Sequence, residues 1–161
     1  MPDFSRLTTG RDRDLVVFLI GMRVNKPLAV RQWLPVFAAM PPMLRELRSD
    51  PDSGLLGVST WLSGRTVLLI QYWDSYDQLE QYATSSAKKH RPAWTRFNRR
   101  RGQAATVVGV FHETYVVAPD RMETIYDAMT PILLGQAVGA VPVSQSRNSS
   151  RERIRGPVPE A

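Results

Sequence analysis

The chain has 161 residues, 43% of them hydrophobic, which suits one domain with a real core. It contains no cysteine, so disulfides, thiolate metal sites and cysteine nucleophiles are excluded, and a reducing compartment fits. The formal net charge is +6, but the excess is read as a helix end (Arg99, Arg100, Arg101) and a tail (Arg147, Arg151, Arg153, Arg155) without a recognition motif, so no nucleic-acid role is expected. Met1 to Asp14 carries no apolar signal core, and the apolar run Leu15 to Met22 is too short to span a bilayer; a soluble, cytoplasmic protein with no membrane partner is expected.

Leu15 to Val24 is apolar and rich in β-branched residues, as a strand buried on both faces would be. A helix start follows at Asn25 to Pro27, and Trp33, Phe37, Met40, Leu44 and Leu47 recur at steps of four and three along one helical face. Pro35 and the pair Pro41-Pro42 must kink or break that helix, because each lacks an N–H. Leu55 to Leu62 and Thr66 to Trp73 form two strands joined by Ser63-Gly64-Arg65 in hairpin fashion. Asp74 or Ser75 can cap the next helix, whose Tyr76, Leu79, Tyr82 and Ala83 share a face. His90 to Arg101 is a second helical stretch stopped by Gly102, and Ala105 to Val117 is the fourth strand. Pro119 to Met129 suggests a short helix and Pro131 to Ala140 an apolar segment of open form. From Val141 onward Ser, Pro and Arg dominate without apolar period, as in a disordered tail. The expected organisation is an arm over residues 1–14, a domain over 15–140 and the basic tail over 141–161.

The order β-α-β-β-α-β is that of the α+β ferredoxin-like fold, an antiparallel sheet with both helices on one face. The strands are apolar on both sides, so the face without helices must also be covered. Packing on a second copy, sheet to sheet, gives a homodimer. The alternative is that Pro119 to Ala140 folds over that face within one chain.

Particular residues resemble a known family. Trp33-Leu34-Pro35-Val36 with Met40-Pro41, Asp50-Pro51, Ser53-Gly54-Leu55-Leu56-Gly57 and Tyr72-Trp73-Asp74-Ser75 are similar to its front half. His90 with Pro92-Ala93-Trp94, Phe97-Asn98 and His112-Glu113-Thr114-Tyr115 extend the likeness over roughly Arg23 to Gly135. The family is a monooxygenase family named for a fumagillin-cluster enzyme, within the dimeric α/β-barrel superfamily of antibiotic-biosynthesis monooxygenases. The resemblance implies a dimeric barrel and an oxygenation or related tailoring reaction on a hydrophobic metabolite. Members of that superfamily often work without metal or flavin, while others hold haem; fold kinship alone does not choose.

His90 is the first candidate for chemistry, as a general base or as a haem ligand; its spacing from Trp73-Asp74-Ser75 resembles that in haem-degrading dimeric barrels. The plain reading is a histidine that caps a helix end. His112 and Glu113 are neighbours on a strand and point to opposite faces, which argues against an iron site of two histidines and a carboxylate. Glu113 needs a partner, and Arg23 is the guess. Trp61, Trp73 and Trp94 are expected around a pocket whose flat walls suit a polycyclic or polyketide-like ligand, or else in the core. Tyr115 and Tyr126 offer phenol groups to a substrate oxygen, or pack. Phosphate-binding and dinucleotide glycine motifs, H-E-x-x-H and G-x-S-x-G are absent.

The expected function is therefore a small homodimeric monooxygenase-like enzyme using O2 on a hydrophobic, aromatic or polyketide-type metabolite of secondary metabolism, without a cofactor. His90 is the expected base, Arg23 the expected anion stabiliser, and Trp61, Trp73, Trp94, His112, Glu113, Tyr115 and Tyr126 the expected substrate contacts. A haem barrel with His90 as axial ligand and a non-catalytic metabolite-binding partner are the alternatives.

Overall fold

A computed structural model describes residues 6–84, 106–143 and 149–155. The elements are β1 (Leu7–Thr8), β2 (Leu15–Val24), α1 (Val30–Ala38), α2 (Met40–Arg48), β3 (Leu55–Ser63), β4 (Thr66–Trp73), α3 (Tyr76–Thr84), β5 (Val108–Val117), α4 (Leu134–Val138), β6 (Val141–Pro142) and α5 (Ser150–Arg155). The helix expected at His90 to Arg101 lies outside the described residues.

The main sheet has four strands in the order β3-β4-β2-β5, all neighbours antiparallel, which is the ferredoxin-like topology. The hairpin turn falls at Gly64-Arg65, with Gly64 at φ +54°, a left-handed value that glycine adopts without a Cβ clash. The expected helix break is present: Ala39 separates α1 from α2, and Pro41 and Pro42 occupy the first turn of α2, where N–H groups have no intrahelical acceptor. α1 runs on through Pro35. Ser75 caps α3, accepting from the Gln78 N–H at 3.2 Å and donating to Gln78 Oε1 at 3.0 Å.

The register sorts the strands into two faces. Even-numbered residues of β2 (Val16, Phe18, Ile20, Met22) and odd-numbered residues of β4 (Val67, Leu69, Gln71, Trp73) share the helix side. There Val16, Leu47, Trp73 and Leu79 form one buried cluster, and Met22, Val67, Val107 and Val108 another, against which Trp33, Val36 and Met40 pack. On the other side Leu15, Tyr72 and Leu134 are buried with Val17, Leu56, Ile70, Leu133, Ala137 and Val138 around them. The chain therefore covers one end of its second face itself. The rest of that face, with Leu19, Leu68, Trp61, Phe111 and Tyr115, stays open, and Trp61 and Tyr115 keep 47% and 50% of their surface. Gly21 lets the Phe111 ring lie across the sheet there; a Cβ at Gly21 would stand 2.5 Å from Phe111 Cζ.

The covering segment differs from its sequence expectation. Pro119–Arg121 makes a single 3₁₀ turn, and Met122 is already extended, so no helix runs to Met129. The chain then pairs through Tyr126, whose N–H donates to Leu7 O at 2.8 Å and whose carbonyl accepts from the Leu7 N–H at 2.8 Å. Tyr126 Oη accepts from the Gly135 N–H at 2.7 Å. Two further elements follow, β6 and α5. β6 pairs with β1, and α5 is held by Arg153, whose guanidinium lies 2.6 Å from Glu123 Oε1 with its side chain 6% exposed. Hydrophobic periodicity could not reveal either anchor, because one is backbone pairing and the other an ion pair. The arm is fixed in the same manner: Arg11 Nη2 donates to Asp74 Oδ1 at 2.8 Å and to Asp14 O at 2.7 Å.

Two measurements test this packing. A Cβ at Gly135 would sit 2.6 Å from the Tyr126 ring and 2.8 Å from Pro131 Cβ. Gly135→Ala is expected to cost about 1–3 kcal/mol and lower the midpoint of a thermal melt by several degrees; an unchanged midpoint would show that the segment gives way freely. Burial, and secondarily Glu46, push the Tyr82 phenol up to about 12. Its folded value exceeds the unfolded 10.0, so its contribution to stability is complete below pH 10 and is lost as pH rises to about 12. The denaturant-midpoint difference between wild type and Tyr82→Phe should be flat below pH 10 and decline above it; a flat difference throughout would refute the assignment.

Candidate active site

The helix-facing side of the sheet is built in cross-strand rows. Val58, Gln71, Phe18 and Thr114 are in register across β3, β4, β2 and β5; the next row is Thr60, Leu69, Ile20 and His112. Apolar groups (Val58, Phe18, Leu69, Ile20) and polar ones (Gln71, Thr114, Thr60, His112) thus share these two rows equally, so the wall offers both apolar area and hydrogen-bonding groups. Among them, Gln71 is 6% exposed and Trp73 fully buried. Trp73 Nε1 donates to Gln71 Oε1 at 3.0 Å, two residues away on the same strand face. A buried indole N–H left unpaired would cost about 1–3 kcal/mol, so this bond stabilises both side chains in place. Tyr82 of α3 packs on Trp73 with ring centroids 5.7 Å apart. On β5, His112 packs on Phe18 with centroids 5.9 Å apart. Two strand spacings put His112 about 10 Å from the Gln71 column.

The opposite face carries a different group. Tyr115 Oη donates to the Glu113 carboxylate in a short hydrogen bond, and that bond, with the carboxylate's charge, raises the phenol's pKa. Arg23 shares this face but opposes Gly109, while Glu113 opposes Leu19. Arg23 Nη1 approaches Thr66 Oγ1 at 3.4 Å. The expected Arg23–Glu113 pair does not form: the two stand four residues apart along the strands, and Tyr115 satisfies Glu113 instead.

The sequence-predicted residues are therefore divided. Trp73 and His112 lie on the helix-facing side; Trp61, Glu113, Tyr115 and Arg23 lie on the other. Because strand neighbours alternate, no single pocket within the sheet of one chain collects both sets. Tyr126 belongs to the covering segment, with its hydroxyl engaged by Gly135. His90 and Trp94 lie outside the described residues. Gln71 was missed by the sequence reading; the signal was a lone amide within the apolar stretch Thr66–Trp73. Among the described residues, no three His, Asp or Glu side chains gather as metal ligands, and no helix is long and apolar enough to cross a membrane. A groove of about 370 Å³ runs beside β3 between α2 and α4, lined by Leu47, Arg48, Gly57, Ser59 and Ala137 among others, and includes none of the predicted residues.

The chain is 30% identical over 150 residues to Monooxygenase af470 of Aspergillus fumigatus, an alignment that takes in 87% of this chain and 51% of that protein. The chain thus spans about half the length of that curated relative. Among solved structures, it is similar to SnoaB, a cofactor-independent oxygenase from Streptomyces nogalater, at 12% identity over 63% of this chain and 91% of that one, with a TM-score of 0.45. It is also similar to a dimeric protein of unknown function and ferredoxin-like fold from Bacteroides fragilis, at 18% identity over 66% and 98% of the chains, with a TM-score of 0.46. Residues 15–134 match the family model described as Monooxygenase af470-like, and the chain belongs to that family.

Proposed function

We propose that this chain is a homodimeric oxygenase that acts on a hydrophobic, aromatic or polyketide-type metabolite with O2 and without metal or flavin. Family membership supports oxygenase chemistry. The observation that carries the reading is the helix-facing wall, where Gln71, His112, Thr60 and Thr114 are set among Val58, Phe18, Leu69, Ile20 and Trp73. Such a wall buries a flat apolar ligand by area and orients it by a few polar contacts.

In this mechanism a base removes a proton from an activated CH2 beside a phenol or enol. The carbanion adds O2, passing through electron transfer to oxygen, and protonation gives a hydroperoxide. Loss of water leaves a ketone, so one oxygen atom enters the product, the other leaves as water, and no external reductant is needed. His90 is the base of this reading. The buried part of the wall, Leu69 and Trp73, keeps water from that side of the anionic intermediates. The open part of the second face, where Trp61, Leu19, Leu68 and Phe111 meet solvent, supports the homodimer, since an apolar sheet surface of this kind is characteristically covered by a partner.

Incubation of metal-free protein with enolisable polycyclic substrates under ¹⁸O2 is expected to place one labelled oxygen in the ketone product. His90→Ala should lower that rate by about 100-fold or more. An unchanged rate would remove His90 from the role, and no oxygen uptake with any such substrate would refute the oxygenase reading. In sedimentation, wild type should run at twice the 18.2 kDa chain mass and Trp61→Glu at the single mass; a monomeric wild type would sink the dimer.

A further inference from the structure

We propose that the two-fold axis of the homodimer lies along the cross-strand row Trp61, Leu68, Gly21 and Phe111, so that Arg23 of each copy pairs with the partner's Glu113. The inference rests on the homodimer proposed above. It goes further by fixing where the second copy sits and which charges set its register.

Side chains on the open face stand in rows across the sheet. Trp61, Leu68, Gly21 and Phe111 form one row. One step along the strands lies the row Ser63, Thr66, Arg23 and Gly109, and one step the other way the row Ser59, Ile70, Leu19 and Glu113. Past that last row the chain covers itself: Gly57 lies against Ala137, and Tyr72 is buried with Leu134. The uncovered part of β3, β4 and β2 is therefore three rows deep. An axis along the middle row lets a second copy cover all three. That row is also flat, because the Phe111 ring lies over Gly21.

Two sheets packed face to face by a two-fold axis have that axis between them, parallel to both. When it follows a row, each strand faces its own copy running the opposite way. The row on one side of the axis then faces the row on the other side. The partner's Glu113 comes to lie over Gly109, the residue directly beside Arg23 on the neighbouring strand. Gly109 has no side chain to fill that space, and the nearest described atom a Cβ there would meet is Asn25 Nδ2, at 3.8 Å. Strands lie about 4.8 Å apart and packed sheets about 10 Å, a diagonal that an arginine and a glutamate span together. Arg23 and Glu113 are both exposed in the single chain. The bond from Tyr115 Oη to Glu113 leaves the carboxylate further lone pairs, and a guanidinium has donors beyond the one near Thr66. An axis along the strands instead would set β5 over β3 and β2 over β4. Glu113 would then face Ser59 and Arg23 would face Thr66, leaving each charge covered without an opposite one. The affinity comes from the apolar middle row, and the charge pair selects the register.

The test is a charge swap on the full chain, read as the dimer dissociation constant in sedimentation. Arg23→Glu and Glu113→Arg each set like charges against one another twice per dimer, and each is expected to raise the constant at least about tenfold. The two substitutions in one chain restore the attraction with its sign reversed, and should return the constant to within about threefold of wild type. Such recovery cannot come from misfolding, since the double variant carries both changes. The wild-type constant should itself rise with added salt. If wild type dimerises but either single variant leaves the constant unchanged, the double variant stays as weak as the singles, or salt has no effect, the pairing and the axis fail while the homodimer stands. A wild type that stays monomeric overturns both.

Discussion

The pairing of β2 with β4 at the centre of the sheet governs the rest of the molecule. Both strands carry apolar side chains on both sides: Val16, Phe18, Met22, Leu69 and Trp73 on one, Leu15, Val17, Leu19, Ile70 and Tyr72 on the other. Neither side tolerates water, and the two demands are met differently. α1, α2 and α3 cover the first along β2 and β4, while its β5 edge, with His112, Thr114 and Val116, is exposed. The second is met at one end by the chain's own segment from Met122 to Val138, and the rest of it stays open.

That covering segment has little secondary structure of its own, so its position depends on discrete anchors. The Tyr126 hydroxyl with the Gly135 N–H, the backbone pair of Tyr126 with Leu7, the β1–β6 ribbon and the Arg153–Glu123 ion pair act together at one edge. The contact of Ala137 with Gly57 shows how closely α4 approaches β3, since a Cβ at Gly57 would come within 2.6 Å of Ala137 Cβ. Such a segment narrows the surface left for a second copy to the region of Trp61, Leu19, Leu68 and Phe111. The dimer proposed for this chain would therefore be smaller in contact area than one using a whole sheet face.

On the helix side the constraint is the reverse. Trp73 is fully buried, and its N–H has to be satisfied inside an apolar environment. Gln71 does so from the same strand, which fixes an amide in the wall beside Phe18, in the row that ends at Thr114. One structural requirement thus sets a polar side chain between Val58 and Phe18 on this face. The chemistry proposed for this family member draws on that combination: area burial to hold a flat ligand, and a small number of fixed polar groups to orient its oxygen.

The four strands of the main sheet, α1 to α3, the break at Pro41-Pro42, the cap at Ser75 and the hairpin at Gly64 were legible in the sequence, because each follows from local periodicity or from the backbone preferences of proline, serine and glycine. The opposed directions of His112 and Glu113 were legible for the same reason, strand alternation being a local rule. What the sequence could not show was which strand side faces which layer across the whole sheet. That depends on register between segments far apart in the chain, and it alone separates Trp73 and His112 from Trp61, Tyr115 and Arg23. The β1–β6 pairing, the Arg153–Glu123 contact, the pairing of Glu113 with Tyr115 and the bond from Trp73 to Gln71 were likewise decided only by the tertiary structure. Each rests on a long-range backbone pair, an ion pair or a burial environment, and none of these leaves a period in the amino-acid string.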